Sequence, residues 1–298
     1  MPARQGQPAS VKSAERVLDI LEFLATDTQH TLSQAELGKR LGVPKSSLHA
    51  LLRVLVARGY VELSPDPASR SYRLGPRVLG LGNAYLATLD LLRAARQVMA
   101  AMARLSAETI TLDIPYGSAM LTIAREDARQ PIQVTTRIGW PFPAHATASG
   151  KVVLASLPPE ALDRLFPHPE LPLLTTRTIR TVDELKAELR AVREAGVAHA
   201  HGEINEGVEA VAVPIVDHRC QVVAALDALV PLPRARAEYL RRMERLLRAG
   251  AHIISARMGA PGAHASLGVV DPEHYLEQAW GANGRASIDD SAAWRRAD

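Results

Sequence analysis

LGVPKSSLHALLRVLVARGYVEL, Leu41 to Leu63, is the stretch that decides how the front of this 298-residue chain folds. Leu48, Leu51, Leu52, Leu55 and Val56 recur at the spacing that lines one face of a helix. Pro44 opens that helix, at a first position where a missing N–H costs nothing. Gly59 stands where a helix end favours a left-handed residue. Just upstream, Ser33-Gln-Ala-Glu36 forms a capping box, in which the hydroxyl accepts from the third backbone N–H while the Glu returns to the cap. It predicts a short helix over 34–40, and Leu41-Gly42-Val43 separates this from the helix after Pro44. Two helices joined by so short a turn predict a helix-turn-helix.

Working outward, Tyr60 to Leu63 and Ser71 to Leu74 alternate like two strands around Ser64-Pro-Asp-Pro-Ala68, which is turn chemistry. The pair predicts a wing, so a winged helix-turn-helix is expected over 11–76. Val17, Leu18, Ile20, Leu21 and Leu24 predict a first helix from Ser13 to Ala25, with Ser13 as its cap. Residues 1–10 hold two prolines and a glycine and read as a flexible arm.

Charge points the same way. The whole chain carries 35 Lys and Arg against 32 Asp and Glu, a net +3. Through Arg77 there are eleven basic and seven acidic residues, a local balance of +4, so the remainder is close to neutral. Nucleic-acid binding depends on such local positive charge. The side chains near the start of the second helix that suit groove contact are Lys45, Ser46, Ser47, His49 and Arg53, and the wing adds Arg70 and Arg73. The competing reading of that edge is a solvated polar helix face.

Helical spacing resumes over 77–106, with Leu79, Leu86, Leu89, Leu92, Val98 and Met102, and predicts one or two linker helices. Their apolar side can bury against an identical partner or against the following domain. From 107 to 259, short strand-like runs alternate with helices. The strands are expected at 109–113, 119–123, 132–136, 197–201, 210–216 and 221–229. The helices are expected at 149–156, at 160–165, after a second capping box at Thr181-Val-Asp-Glu184 and before Gly196, and at 234–258. That pattern predicts an α+β domain built on a sheet. The tail, 260–298, is rich in Gly, Ala, Ser and charge with a short apolar patch near Tyr275 to Trp280, and is expected to be disordered.

The composition, 47% hydrophobic and 22% charged, is that of a globular chain of two domains. No run approaches the roughly 18 apolar residues of a membrane span, and the start lacks a secretory signal's apolar middle, so the cytoplasm is the expected compartment. The single cysteine, Cys220, excludes an intrachain disulfide. His199, His201, His218 and Cys220 make a zinc site conceivable, but surface histidines explain them more simply. Ser149 lacks the Gly-x-Ser-x-Gly elbow of a nucleophile, and no partner is fixed for it. No catalytic residue, metal or cofactor is therefore expected. The competing class is a small-molecule enzyme or metal-dependent binder whose winged helix serves protein contacts.

The order of capped helix, LGVPKSSLHALLRVLVARGYVEL and SYRLGPRVLGLG resembles the IclR family of bacterial regulators. The resemblance continues through HATASGKVVLASLP, TTRTIRTVDELKAELRAVREAGVA, EGVEAVAVPIVD and VVAAL, from Val11 to Gly259. It implies a GAF-like effector-binding domain with an antiparallel sheet, dimers or tetramers, and binding to double-stranded operator DNA that a small organic effector modulates, often for a catabolic operon. It implies no enzyme. In this family the effector lies against the backbone at the segment matched here by Thr147-Ala148-Ser149-Gly150-Lys151, which makes the amides of Ala148 and Ser149 donors. A helix start suits a carboxylate on physical grounds too. In the family's small-acid form a Cys and two hydroxyl residues on the last strands join an upstream Asp. The matching positions here are Ala210, Asp227 and Leu229, with Ala200 upstream, so a larger effector with an apolar part and a donor group is expected. The competing reading of Asp227 is a carboxylate that pairs with an Arg or caps a turn.

Overall fold

The computed structural model describes residues 11–26, 31–64, 71–87, 90–127, 129–261 and 271–281. The chain divides into two compact units, Met1–Thr88 and Leu89–Asp298. The expected arm at 1–10, the hairpin tip with Arg70, and most of the expected tail lie outside the described residues.

In the first unit, α1 (Lys12–Thr26), α2 (Gln34–Leu41) and α3 (Lys45–Ala57) close around Ile20, Leu24, Leu37, Leu48, Leu52 and Leu55. Helix α1 starts one residue earlier than expected, which puts Ser13 inside its first turn rather than at its cap. The box at Ser33 and Glu36 forms in full, and Gly42 takes a φ of 61° to end α2. Pro44 occupies the cap of α3 rather than its first turn, with its carbonyl accepting from Leu48 N–H at 3.1 Å. Gly59, at φ 75°, turns the chain into β2. Strands β2 (Val61–Leu63) and β3 (Ser71–Leu74) pair antiparallel, and β3 pairs on its other side with β1 (Leu32–Ser33), a two-residue strand too short to carry an alternation signal. Helix α4 (Arg77–Ala87) ends the unit, with Leu79 and Leu81 exposed.

The second unit opens with α5 (Asp90–Ser106) and holds a six-stranded sheet in the order β6-β5-β4-β9-β8-β7 with antiparallel neighbours throughout. Its strands are β4 (Thr109–Tyr116), β5 (Ala119–Glu126), β6 (Pro141–Pro143), β7 (Ala198–His201), β8 (Val208–Val216) and β9 (Val222–Pro231). Residues 132–136, expected as a strand, run as irregular backbone, and the edge position goes to β6 instead. Prolines suit an edge because they cannot donate to a ladder.

Helices α6 (Ala148–Ser156), α7 (Pro159–Leu165) and α8 (Val182–Ala195) belong to one side of the sheet. On α8 the Thr181 and Glu184 box forms in full, and Gly196 at φ 70° ends the helix. Helices α5 and α9 (Ala237–Arg257) cover the other side. The strands sort themselves by alternation, so Ala210, Ala212 and Ala225 meet α6. Leu226 points the other way, against Gly250 of α9. These alanines let α6 approach the sheet and leave room beside it.

The tail differs from expectation over Pro272–Gly281, which form a helix, α10, against α5 and α9. Leu276 is fully buried there, and the guanidinium of Arg242 lies 4.3 Å from the centre of the Trp280 ring. A few apolar residues at helical spacing suffice once a surface exists to receive them.

Candidate effector cavity and nucleic-acid interface

Helix α3 separates its residues cleanly. Leu48, Leu52 and Leu55 are buried, while Lys45, Ser46, Ser47, His49 and Arg53 are all exposed. The side chain of Gln34 reaches across from α2 to the Lys45 carbonyl at 3.1 Å and braces the turn between the helices. Arg73 is less free than the sequence implies. It lies opposite Glu62 in the hairpin and forms an ion pair with it at 2.6 Å.

In the second unit a cavity of about 280 Å³ opens between α6 and the sheet. Thr147, Ala148, Ser149, Ala210, Asp227 and Leu229 all line it, as does Ala200. The Thr147 hydroxyl accepts from Gly150 N–H at 3.0 Å and so caps α6, the N-terminus of which faces the cavity. Gly150 is required at this crossing, because a Cβ there would run into the backbone of Ala144.

Among the polar residues in the wall that were not singled out from the sequence are Thr111, Asp113, Thr122 and Glu203. A register shift between Leu112 and Asp113 sets Asp113 opposite Thr122 on β5, and Thr111 lies opposite Asp227 on β9. For Thr111 and Asp113 the signal was present in Thr109-Ile-Thr-Leu-Asp113, where one face of a buried strand is polar at every second residue. Asp113 and Asp227 are both buried, at 5% and 3% exposure. Burial holds the Asp113 carboxyl above its ordinary range, against the hydroxyls of Thr122, Ser149 and Thr111. Asp227 is raised further, first by burial and then by the neighbouring Asp113, while the backbone N–H groups of Ala228 and Ser149 favour its charged form. One oxygen on each of the two, and one on Glu203, is buried without a hydrogen-bond partner.

Thus the Ser149 amide, expected to meet an effector, lies against the chain's own Asp227. Among the described residues no arginine pairs with Asp227. Behind the wall, Lys151 is 1% exposed and donates to Glu188 at 2.6 Å, to the His199 carbonyl at 3.3 Å, and to Glu203. Burial raises the Glu203 carboxyl and the Lys151 charge works against that rise. His199 and His201 stack with centroids 5.8 Å apart, and His201 Nδ1 meets Glu209 at 2.5 Å. Among the described residues no group of three or more His, Cys, Asp or Glu side chains is arranged to hold a metal ion. No helix among them is long and apolar enough to cross a membrane.

Two family models match the chain: the IclR helix-turn-helix domain over residues 13–65 and the bacterial transcriptional regulator IclR C-terminal domain over residues 83–256. The chain is 31% identical over 252 residues to the HTH-type transcriptional regulator XynR of Escherichia coli, covering 84% of this chain and 98% of that one. It is 32% identical over 229 residues to the glycerol operon regulatory protein of Streptomyces griseus, covering 76% and 87% respectively. Among solved structures, an IclR homolog complexed with 4-hydroxybenzoate from Microbacterium hydrocarbonoxydans superposes with a TM-score of 0.71 at 26% identity, over 83% of this chain and 98% of that one. Both units, in their order along the chain, are accounted for by these matches: the protein belongs to the IclR family and is a DNA-binding transcriptional regulator.

Proposed function

We propose that this regulator binds a double-stranded operator through α3 and responds to a small organic effector held in the cavity of the second unit, controlling a catabolic operon in the cytoplasm without enzymatic activity. The observation that carries the DNA half is the exposed polar edge of α3. Lys45 and Arg53 donate to guanine or phosphate, Ser46, Ser47 and His49 add short-range contacts, and the wing residues Arg70 and Arg73 reach the backbone. The Glu62 pair makes Arg73 the weakest member of that set. The sensing half rests on the cavity with Thr147, Ala148, Ser149, Ala210, Asp227 and Leu229 in its wall. The exposed Leu79 and Leu81 support self-association, as a dimer or tetramer. Effector binding then shifts the population of assemblies able to span two half-sites.

The test is selection of genomic fragments by the full chain, followed by a salt titration of the best fragment against random duplex. Operator binding must exceed the electrostatic background. Lys45→Ala and Arg53→Ala should each cost about 1–3 kcal/mol at fixed salt. Equal affinity for random DNA, or unchanged affinity in both variants, overturns the assignment of α3.

A further inference from the structure

The cavity has an uneven lining. Met120, Phe142, Val208 and Leu229 contribute apolar surface, while Asp113 and Asp227 on adjacent strands and Glu203 in the loop after β7 contribute carboxyls. Each of these three carboxyls is at least nine-tenths buried and keeps one oxygen without a partner. Buried acceptors of this kind cost free energy unless a donor meets them. The positive charge of Lys151 is already engaged by Glu188 and Glu203. The start of α6, where a ligand's carboxylate would otherwise find backbone donors, has the Asp227 carboxylate against the Ser149 amide.

We propose that the effector is an organic amine whose protonated head sits between Asp113 and Asp227, with its apolar remainder against Met120, Phe142, Val208 and Leu229. This rests on the reading of the cavity as the effector site. The chemistry favours an ammonium over its alternatives for three reasons. An ammonium group brings three donors and no acceptor, whereas a hydroxyl brings one donor and competing lone pairs. A single positive charge beside both carboxyls favours their ionised forms and offsets the mutual repulsion that now raises Asp227. A carboxylate head would add a further negative charge beside Asp113 and Asp227, with the nearby Lys151 already engaged. The volume, about 280 Å³, is close to twice the roughly 150 Å³ cavity that admits benzene, which suits a head group on a six-carbon chain or a phenylalkyl skeleton.

The experiment uses the full chain and matched sets of ligands at neutral pH: hexylamine, hexanol and hexanoate, and 3-phenylpropylamine, 3-phenylpropanol and 3-phenylpropanoate. Binding is read by calorimetry and by ligand-induced shift of the melting temperature. Both amines should bind, each at least roughly tenfold more tightly than the alcohol and acid on its skeleton, since hydrogen bonds to charged groups are the stronger ones. Asp113→Asn and Asp227→Asn should each weaken amine binding by a similar factor without lowering the melting temperature of the free protein. The ranking in the unaltered protein needs no variant, so a misfolded variant does not shelter the proposal. An acid or alcohol that binds better than its amine, the absence of binding by either amine, or amine binding unchanged in both Asn variants overturns it. Ala210→Leu, which fills the cavity, separates the two levels of inference. If acids or alcohols bind best and Ala210→Leu abolishes that binding, the cavity remains the effector site and only the amine is wrong. If binding survives Ala210→Leu, the cavity itself is misassigned.

Discussion

Replacing Lys151 with methionine should destabilise the second unit by about 3 kcal/mol, the lower end of the range for removing one partner of a buried ion pair. The size follows from who is left behind. Lys151 is 1% exposed, and its Nζ serves Glu188, Glu203 and the His199 carbonyl. Glu188 is 37% exposed and rehydrates cheaply, so its share is small. Glu203 is 5% exposed and already has one unpartnered oxygen, so it becomes an uncompensated buried charge. Glu203→Gln removes that charge, and the double variant should recover about 2 kcal/mol relative to the sum of the single changes. Urea denaturation followed by tryptophan fluorescence reads this unit alone, because all three tryptophans, Trp140, Trp280 and Trp294, fall after residue 88. The pH dependence gives a second check. The Glu203 carboxyl lies above its ordinary value near 4.5 because of burial, and losing Lys151 raises it further. The deficit of the single variant should therefore shrink as pH falls toward 4.5 from neutrality. A cost below about 1 kcal/mol, or single costs that simply add, would refute the reasoning that Lys151 exists to neutralise Glu203.

The remaining predictions concern the cavity and its surroundings. Both Asp113 and Asp227 have folded-state values above the ordinary 3.8, so their contribution to stability is present below that value and is lost as pH rises through the folded-state range. Asp227→Asn should flatten the fall, by up to about 1.4 kcal/mol per pH unit for each proton involved, and parallel pH profiles for the two proteins would contradict the burial argument. Gly150→Ala drives a Cβ into the Ala144 backbone and should cost more than about 2 kcal/mol, with loss of binding in the cavity; a folded, fully responsive variant would mean that α6 has slack. Leu276→Ala, at a fully buried position of α10, should cost about 2–5 kcal/mol, capped by the free energy of docking that helix. Faster hydrogen exchange confined to 271–281 is the expected signature, and unchanged protection there would show that Leu276 does not anchor the helix.

Most of the secondary structure was legible because its causes are local. The Ser33 and Thr181 capping boxes, Gly42, Gly59 and Gly196, and the helical stripe from Leu48 to Leu55 each act within a few residues, and each appears in the structure where the chain placed it. Alternation likewise located five of the six strands of the main sheet, though it also marked 132–136, which is irregular backbone. The six residues expected around an effector do line one cavity, but the chemistry of that cavity was only half readable.

Asp227 could be singled out through the family resemblance; that it neighbours Asp113 could not, because the two come together only through the pairing of β4 with β9. The same holds for Lys151, which looks like a solvent-facing helix residue until α8 and the loop after β7 enclose it. It holds as well for Pro272–Gly281, whose few apolar residues mean little without α5 and α9 beneath them. Capping and periodicity are properties of short segments and survive translation into any fold. Strand register, the burial of a charge and the docking of a weak helix are settled by partners distant in the chain, and so the type of each element is written in the sequence while the charge of the cavity is a product of tertiary structure.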